Sequence, residues 1–573
     1  MHANPVVRVA LEIDPTVNAI AADRANLRAA LDAAYTRLPG ARYALPMAWR
    51  CAIKASNDLV DAVPRYSSAD HGSLFKALIS VTRAILQHEA DFQGPFFDST
   101  LTYDDAVKTC FVGEYEFLRL LNMEASFREG FWRASYEREF DRFRISLAPS
   151  QRRSALTLID HKAEYLSYSK EQQKVLSIKA RRKSKPPIPF ALGIPEVSFL
   201  RDALPRAWQK LSARMEIDVE DAIQFQSFVQ LLMDIGHLWF DEETLFSAYT
   251  AASKRGGLAA LSRERFARLL DFFAATPEQV EGWGICIPFV KFGAWYAYWP
   301  FAHHVLPPSL TLLTLAMRKY PDDWNNSLGS DMAQVAKVVR ESLLSLPHLR
   351  FVTMKGKAGV GDIDLGIFDT RAQVLMLCEI KTVFDRFRTN YQRTNFSDQR
   401  VNYAKAGKQL SASMSAIASG AWQLSELFGE KLDEGPVTMF PVVLTWYDQY
   451  NPWLGSATVH AEGCNFRVFA HLFREANGDL AVLHEAIRQL SRVYCVSTLL
   501  PMDMKVEGQV LSVRREVQTD ILPAAEFLSD APLSPLVKRI LGSLPHMPPD
   551  WRGQLEGAGQ NADDYHTYAF DEP

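Results

Sequence analysis

Residues 374–381 read VLMLCEIK, and this stretch constrains the fold more sharply than any other. Val374 to Cys378 is uniformly apolar, the pattern of a strand buried on both faces, yet the run ends in Glu379, Ile380 and Lys381. In a strand the side chains at i and i+2 share a face, so Glu379 and Lys381 point one way while Ile380 faces into the packing. The preceding strand carries Asp362 and Asp364. A hairpin-like connection around Thr370 and Arg371 sets Asp364 beside Glu379, with Asp362 on the same face but nearer the turn.

Two convergent carboxylates make a hard oxygen site suited to Mg²⁺ (or Mn²⁺), which keeps several waters. A metal there polarises a phosphoryl oxygen and lowers the pKa of bound water. Lys381 stands next to that water, to orient it or to stabilise the charge that builds on phosphorus. Burying these groups to no purpose costs several kcal/mol per ion, less what pairing returns. The plainer reading is a surface E-x-K ion pair worth about 0–1 kcal/mol beside a solvated D-x-D turn.

The elements around the pair shift that balance. From 331 onwards the periodicity predicts a helix (DMAQVAKVVRESLLSLP), three strands (LRFVTMKG, GDIDLGIFD, AQVLMLCEIKT), a long helix from SDQRVNYAKAGKQL and a further strand (PVTMFPVVLTWYD). A helix at DLAVLHEAIRQLSRVY and a hairpin at KVEGQVLSVRREVQ follow. This order, with its G-D-I-D strand and its apolar strand ending E-I-K, resembles the PD-(D/E)xK, or restriction-endonuclease-like, nuclease superfamily. The resemblance covers about 120 residues, roughly a fifth of the chain by length, and implies an αβββαβ core on a mixed sheet. It implies Asp364 and Glu379 as Mg²⁺ (or Mn²⁺) ligands, the Ile380 carbonyl as a further ligand and Lys381 as the residue that activates water. Its frequent first-helix glutamate corresponds to Glu341, and its frequent glutamine after the third strand to Gln409. The signature proline-aspartate pair is replaced by Gly361 and Asp362, and strand register favours Asp364 over Asp362 as the ligand. DNA over RNA is likewise what the family implies.

The remaining chain is long enough for further domains: 573 residues exceed one ordinary core. Before residue 180 the spacing predicts helices, including EASFREGFWRASYEREFDRFRISL, and helices again from 190 to 280 (DVEDAIQFQSFVQLLMDIGHLWF, RERFARLLDFFAA). An aromatic hairpin at 283–302 and a helix at SLTLLTLAMRKYP come next. The expected organisation is multidomain: a mainly α-helical N-terminal region (1–185, then 186–325 with the aromatic β-hairpin), an α/β nuclease-like domain (326–545) and a polar tail (546–573) whose last dozen residues are expected to be loose.

A net charge of −4 excludes a uniformly basic nucleic-acid coat but not a local groove. Between 381 and 408 such a groove is suggested by Lys381, Arg386, Arg388, Arg393, Arg400, Lys405 and Lys408, interleaved with aromatics; these offer phosphate and base contacts, against a plainer reading as a solvated loop. KARRKSKPPIP at 179–189 reads first as a solvated linker. GKAGVGD at 356–362 lacks a following helix and is no phosphate loop; His303 and His304 have no partner at zinc-ligand spacing; Cys378 is expected to pack. Six dispersed cysteines form no CxxC pair, and neither a secretory signal nor a membrane span is visible, which predicts a cytoplasmic protein with no membrane partner.

The expectation is therefore a metal-dependent nuclease, an Mg²⁺-dependent phosphodiesterase and by family a DNA endonuclease. Its helical N-terminal region is expected to take a protein partner or self-associate. By architectural analogy alone it is a gated effector in bacterial defence against phage. The alternative is a nucleic-acid or protein binding module with a catalytically silent nuclease fold.

Overall fold

A computed structural model describes residues 13–566 outside breaks, the longer of which are 93–104, 161–208, 323–334, 355–361, 382–392, 446–460 and 549–564. The first helices are α1 (Ile13–Tyr35), α2 (Ala41–Ala62), α3 (Ser68–His88) and α4 (Asp105–Arg128). They precede β1 (Trp132–Glu137) and β2 (Arg142–Leu147). The middle of the chain holds β3 (Trp239–Asp241), α5 (Glu242–Arg255), α6 (Arg263–Phe272), β4 (Ala274–Ala275), α7 (Pro277–Trp283), β5 (Phe289–Phe292), β6 (Trp295–Tyr298) and α8 (Pro308–Lys319). Then come β7 (Leu349–Met354), β8 (Ile363–Asp369), β9 (Val374–Lys381), α9 (Arg393–Ala418), β10 (Thr438–Thr445), β11 (Glu462–Asn465), α10 (Phe466–Glu475) and α11 (Leu480–Leu490). The last elements are β12 (Ser497–Val506), β13 (Gln509–Gln518), α12 (Pro535–Leu541) and β14 (Tyr565–His566).

The strand that opened the sequence argument is central in a mixed sheet of order β11-β10-β9-β8-β7. β7, β8 and β9 run antiparallel, while β10 and β11 lie parallel to β9. With a helical turn at 335–341 ahead of β7, the expected order of helix, three strands, helix and strand is found. β9 is buried at every position before Lys381, because apolar layers close on both of its faces. Leu365, Ile367, Met376, Cys378, Val442 and Leu444 pack against helices at 155–160 and 335–341 and against α10, α11 and α12. Phe368, Leu375, Leu377 and Val443 pack instead against Tyr403, Ala406 and Leu410 of α9. The hairpin expected at Thr370 and Arg371 is held by Asp369, whose Oδ1 accepts from the Arg371 and Ala372 N–H groups at 2.9 and 3.1 Å.

The structure corrects the expectation of helix for EASFREGFWRASYEREFDRFRISL. Only its start belongs to α4; residues 132–137 and 142–147 pair as the antiparallel strands β1 and β2. The period-2 alternation of Phe143, Ile145 and Leu147 with Arg142, Arg144 and Ser146 was masked by the density of charge. β2 then pairs in parallel with β13, giving a second sheet of order β1-β2-β13-β12-β14. The hairpin expected at KVEGQVLSVRREVQ is the core of this sheet. The tail, expected to be loose, contributes β14 to its edge.

The N-terminal and C-terminal regions are consequently interleaved. Val17 and Ile20 of α1 and Met123 and Phe127 of α4 pack on Ile145 and Val513 of the second sheet. The Ala155 N–H donates to the Val493 carbonyl and the Cys495 N–H to that of Arg153, both across the boundary drawn at 326. Asp160, wholly buried, receives Arg467 Nε of α10 at 3.1 Å. That boundary divides the sequence and not the packing.

The aromatic segment at 283–302 forms the expected hairpin β5–β6, within a sheet of order β3-β6-β5-β4. Gly293 takes φ 58° at its turn, a left-handed conformation open to glycine at little cost. Trp49 Nε1 of α2 donates to the Tyr298 carbonyl, and Phe75 of α3 packs on Trp299, which fasten this hairpin to the helices. KARRKSKPPIP, His303, His304 and all of GKAGVGD but Asp362 lie outside the described residues. Among the described residues no helix is long and apolar enough to cross a membrane.

Removing one partner of a buried ion pair leaves the other charge uncompensated. Arg467→Ala is therefore expected to cost about 3 kcal/mol through Asp160, seen as a lowered denaturation midpoint. Asp160→Asn combined with Arg467→Ala is expected to recover part of that loss.

Candidate functional site

The pairing of β8 with β9 joins Leu365 to Cys378, so the next step of the register sets Asp364 opposite Glu379. The ladder itself stops one step short of them. Asp364 Oδ2 takes the place of a backbone acceptor and receives the Ile380 N–H at 2.8 Å. A side chain thus closes the gap where the strands part.

Glu379 and Lys381 share the face covered by α9, as the i, i+2 rule requires. Lys381 Nζ donates to Glu379 Oε1 at 2.6 Å and to Gln409 Oε1 at 3.1 Å. An ammonium has three donors, and among the described residues these are its two partners. Gln409 comes from α9, which presents Tyr403, Ala406 and Leu410 to the sheet and leaves Gln409 at the rim of that buried stripe. Asp364, Glu379, Lys381 and Gln409 are therefore brought together as the sequence predicts.

Burial raises the proton affinity of both acids. Glu379 is only 3 % exposed. Desolvation first, and then the Asp364 charge, push its pKa up to about 7 against the opposing pull of Lys381. Asp364 is also raised, chiefly by burial, while the Ile380 N–H and Lys381 pull it down and Asp362 adds to the rise. Two carboxyl groups that resist being charged together form a site short of cation. The donor set fits Mg²⁺ or Mn²⁺, which takes one or two carboxylates and retains water. Among the described residues no group of three or more His, Cys, Asp or Glu is arranged to hold a metal.

The other expected residues fare differently. Asp362 is exposed at the start of β8. Glu341 is exposed too, and its ionic partner is Lys337 at 3.8 Å, one turn back on the same helix. That helix turns Val335, Ala336, Val339 and Leu343 to the sheet face opposite α9, so Glu341 is not brought to the pair. Ile380 buries its side chain on that same opposite face. Cys378 packs there as well, its thiol pushed up by burial.

Arg386 and Arg388 lie outside the described residues, and Arg393 is the first residue of α9. Arg400, Lys405 and Lys408 are exposed on α9. Lys405 lies one turn before Gln409, on the same ridge, and its charge is felt at Glu379. Sequence reasoning did not mark Thr445, which the register of β10 with β9 sets beside Lys381. A threonine ending an apolar strand carries no motif, and only the strand pairing reveals it.

No protein-family model, curated protein or solved structure matches the chain.

The proton affinity of Glu379 has a consequence for stability. The unfolded chain releases this proton near the ordinary carboxylate value of about 4.3, the folded chain only near 7. Between those values the folded state holds a proton that the unfolded state has lost, so stability falls as pH rises through the window and levels off above it. Glu379→Gln lacks this loss. Its stability relative to the natural chain is expected to grow by about 1–3 kcal/mol between pH 5 and pH 8, measured by denaturant unfolding without divalent metal.

Proposed function

We propose that the sheet β7 to β11 is the catalytic unit of a metal-dependent nuclease of the PD-(D/E)xK kind, hydrolysing phosphodiester bonds, with DNA favoured as substrate. The observation that carries this reading is the convergence of Asp364 and Glu379 across one register step, beside a lysine held by Glu379 and Gln409. Structural ion pairs do not need two acids whose burial opposes their ionisation.

In this reading Asp364 and Glu379 hold Mg²⁺ or Mn²⁺, which when bound polarises the phosphoryl oxygen and makes water more acidic. The Ile380 N–H keeps the Asp364 carboxylate turned towards Glu379. Gln409 and Glu379 fix two donors of Lys381, and the third addresses the attacking water or the phosphoryl oxygen as negative charge grows there. The water oxygen bonds to phosphorus, the bond from phosphorus to the departing strand breaks, and the proton given up by water ends on the departing oxygen. Glu341 has no part in these steps. Lys405 and Lys408 supply phosphate contacts that position the strand without reading its sequence. The N-terminal helices, packed on a sheet shared with the C-terminal region, are the place we assign to a controlling partner.

Purified full-length protein is expected to cleave plasmid or single-stranded DNA with Mg²⁺ or Mn²⁺ and to stop when metal is chelated. Asp364→Asn and Lys381→Ala are each expected to lose about 100-fold or more in rate. Cleavage that persists in both variants would overturn the site. A natural protein that binds DNA under all these conditions but never cuts it favours the silent binding module.

The charges on α9 allow a separate check. Lys405→Ala and Lys408→Ala are each expected to weaken DNA binding and to reduce the slope of log affinity against log salt by about 0.7–0.9, measured by fluorescence anisotropy at several salt concentrations.

A further inference from the structure

α9 joins two parallel strands, β9 and β10, and therefore runs back against them. Its Gln409 meets Lys381, the last residue of β9. The turns of α9 that precede Gln409 accordingly stand towards the carboxyl end of β9. Ligands of open α/β sheets bind outside that edge. Three cations of these turns, Arg400, Lys405 and Lys408, are exposed.

The three do not stand on one side of the helix, since each helical residue advances by about 100°. Counted from Gln409, Lys405 is about 40° away around the axis, Lys408 about 100° and Arg400 about 180°. Of these, Lys405 is the one on the ridge that reaches Lys381, and it lies one turn, about 6 Å, nearer the carboxyl edge than Gln409.

A lysine on a helix surface ordinarily has an acid one turn away, as Lys54 has Asp58 and Lys337 has Glu341. The neighbours of Lys405 at three and four residues are Val401, Asn402, Lys408 and Gln409, none of them acidic. Among the described residues no acid forms an ion pair with it. Its charge is felt at the site instead: burial and the Asp364 charge raise the proton affinity of Glu379, and Lys405 joins Lys381 in opposing them.

We propose that Lys405 is a further catalytic residue: its ammonium donates to a non-bridging oxygen of the phosphate being cleaved, from the α9 side, while Lys408 holds the strand at another phosphate. The assignment rests on the nuclease reading of the same site. Asp364, Glu379 and Lys381 belong to β8 and β9 and serve the phosphate from the sheet. Negative charge grows on the phosphoryl oxygens as water attacks, and a second fixed cation across from Lys381 stabilises it. Lys405 gives up no proton and forms no bond to phosphorus.

The test uses full-length protein with Lys405→Ala, Lys405→Arg and Lys408→Ala, plasmid DNA and a single-stranded DNA oligonucleotide as substrates, and Mn²⁺. Lys405→Ala is expected to lower kcat at saturating DNA about 10- to 100-fold, in addition to any rise in KM. Lys405→Arg, which keeps the charge, is expected to recover most of the rate. Lys408→Ala is expected to act mainly on KM and to lower kcat at least about fivefold less than Lys405→Ala does. A Lys405→Ala protein whose kcat stays within twofold of the natural chain overturns the role of Lys405 and leaves the nuclease reading standing. So does an arginine variant as slow as the alanine variant, or a Lys408→Ala protein with the same loss of kcat. A natural chain that cuts neither DNA overturns the nuclease reading itself, and this assignment with it.

Discussion

The hydrogen bond from the Ile380 N–H to Asp364 Oδ2 holds the C-terminal architecture to its chemistry. In an antiparallel pair the N–H groups directed at the neighbouring strand need acceptors there, and for Ile380 a carboxylate supplies one. One residue thereby completes strand pairing and carries charge to the rim of a sheet whose interior is apolar. Breaking the bond would free the Asp364 side chain and also leave a backbone donor without its acceptor. Geometry at the rim and cohesion of the strands are coupled through that contact.

The rigidity behind the site comes from packing on both faces. β9 is immobilised by apolar layers from α9 on one side and from α10, α11 and the helix at 155–160 on the other. The last of these belongs to the N-terminal half. Together with β2 against β13 and Asp160 against Arg467, it makes the helical region part of the frame that carries Asp364, Glu379 and Lys381. A partner that shifts α1 or α4 would act on Ile145 and Val513 directly.

Legibility in the sequence followed the range of the interactions. Asp364, Glu379 and Lys381 could be found because strand alternation and a short hairpin fix their relation within a few residues of chain. Gln409 was reached only through the family resemblance, and α9 brings it to Lys381. The β1–β2 hairpin was misread because its decisive partner, β13, lies hundreds of residues downstream; Leu147, for example, donates its N–H to Glu516. The place of Glu341 was not legible for a different reason. Its distance from the pair depends on which side of its helix faces the sheet, and Val335, Ala336 and Val339 settle that by packing. Thr445 was invisible because register between parallel strands leaves no local mark.

The site also sets a limit on how stable this sheet can be. Glu379 is buried beside Asp364, whose charge adds to the cost of ionising it. Lys381 offsets that cost only in part, since one ammonium faces two acids and Gln409 shares it. A glutamine in place of Glu379 would pack as well and spare the charge, so packing alone gives no reason for the acid. In the proposed reading a metal ion held by the two carboxylates would offset that cost. What weakens the sheet without metal is then the same feature that would give it affinity for one.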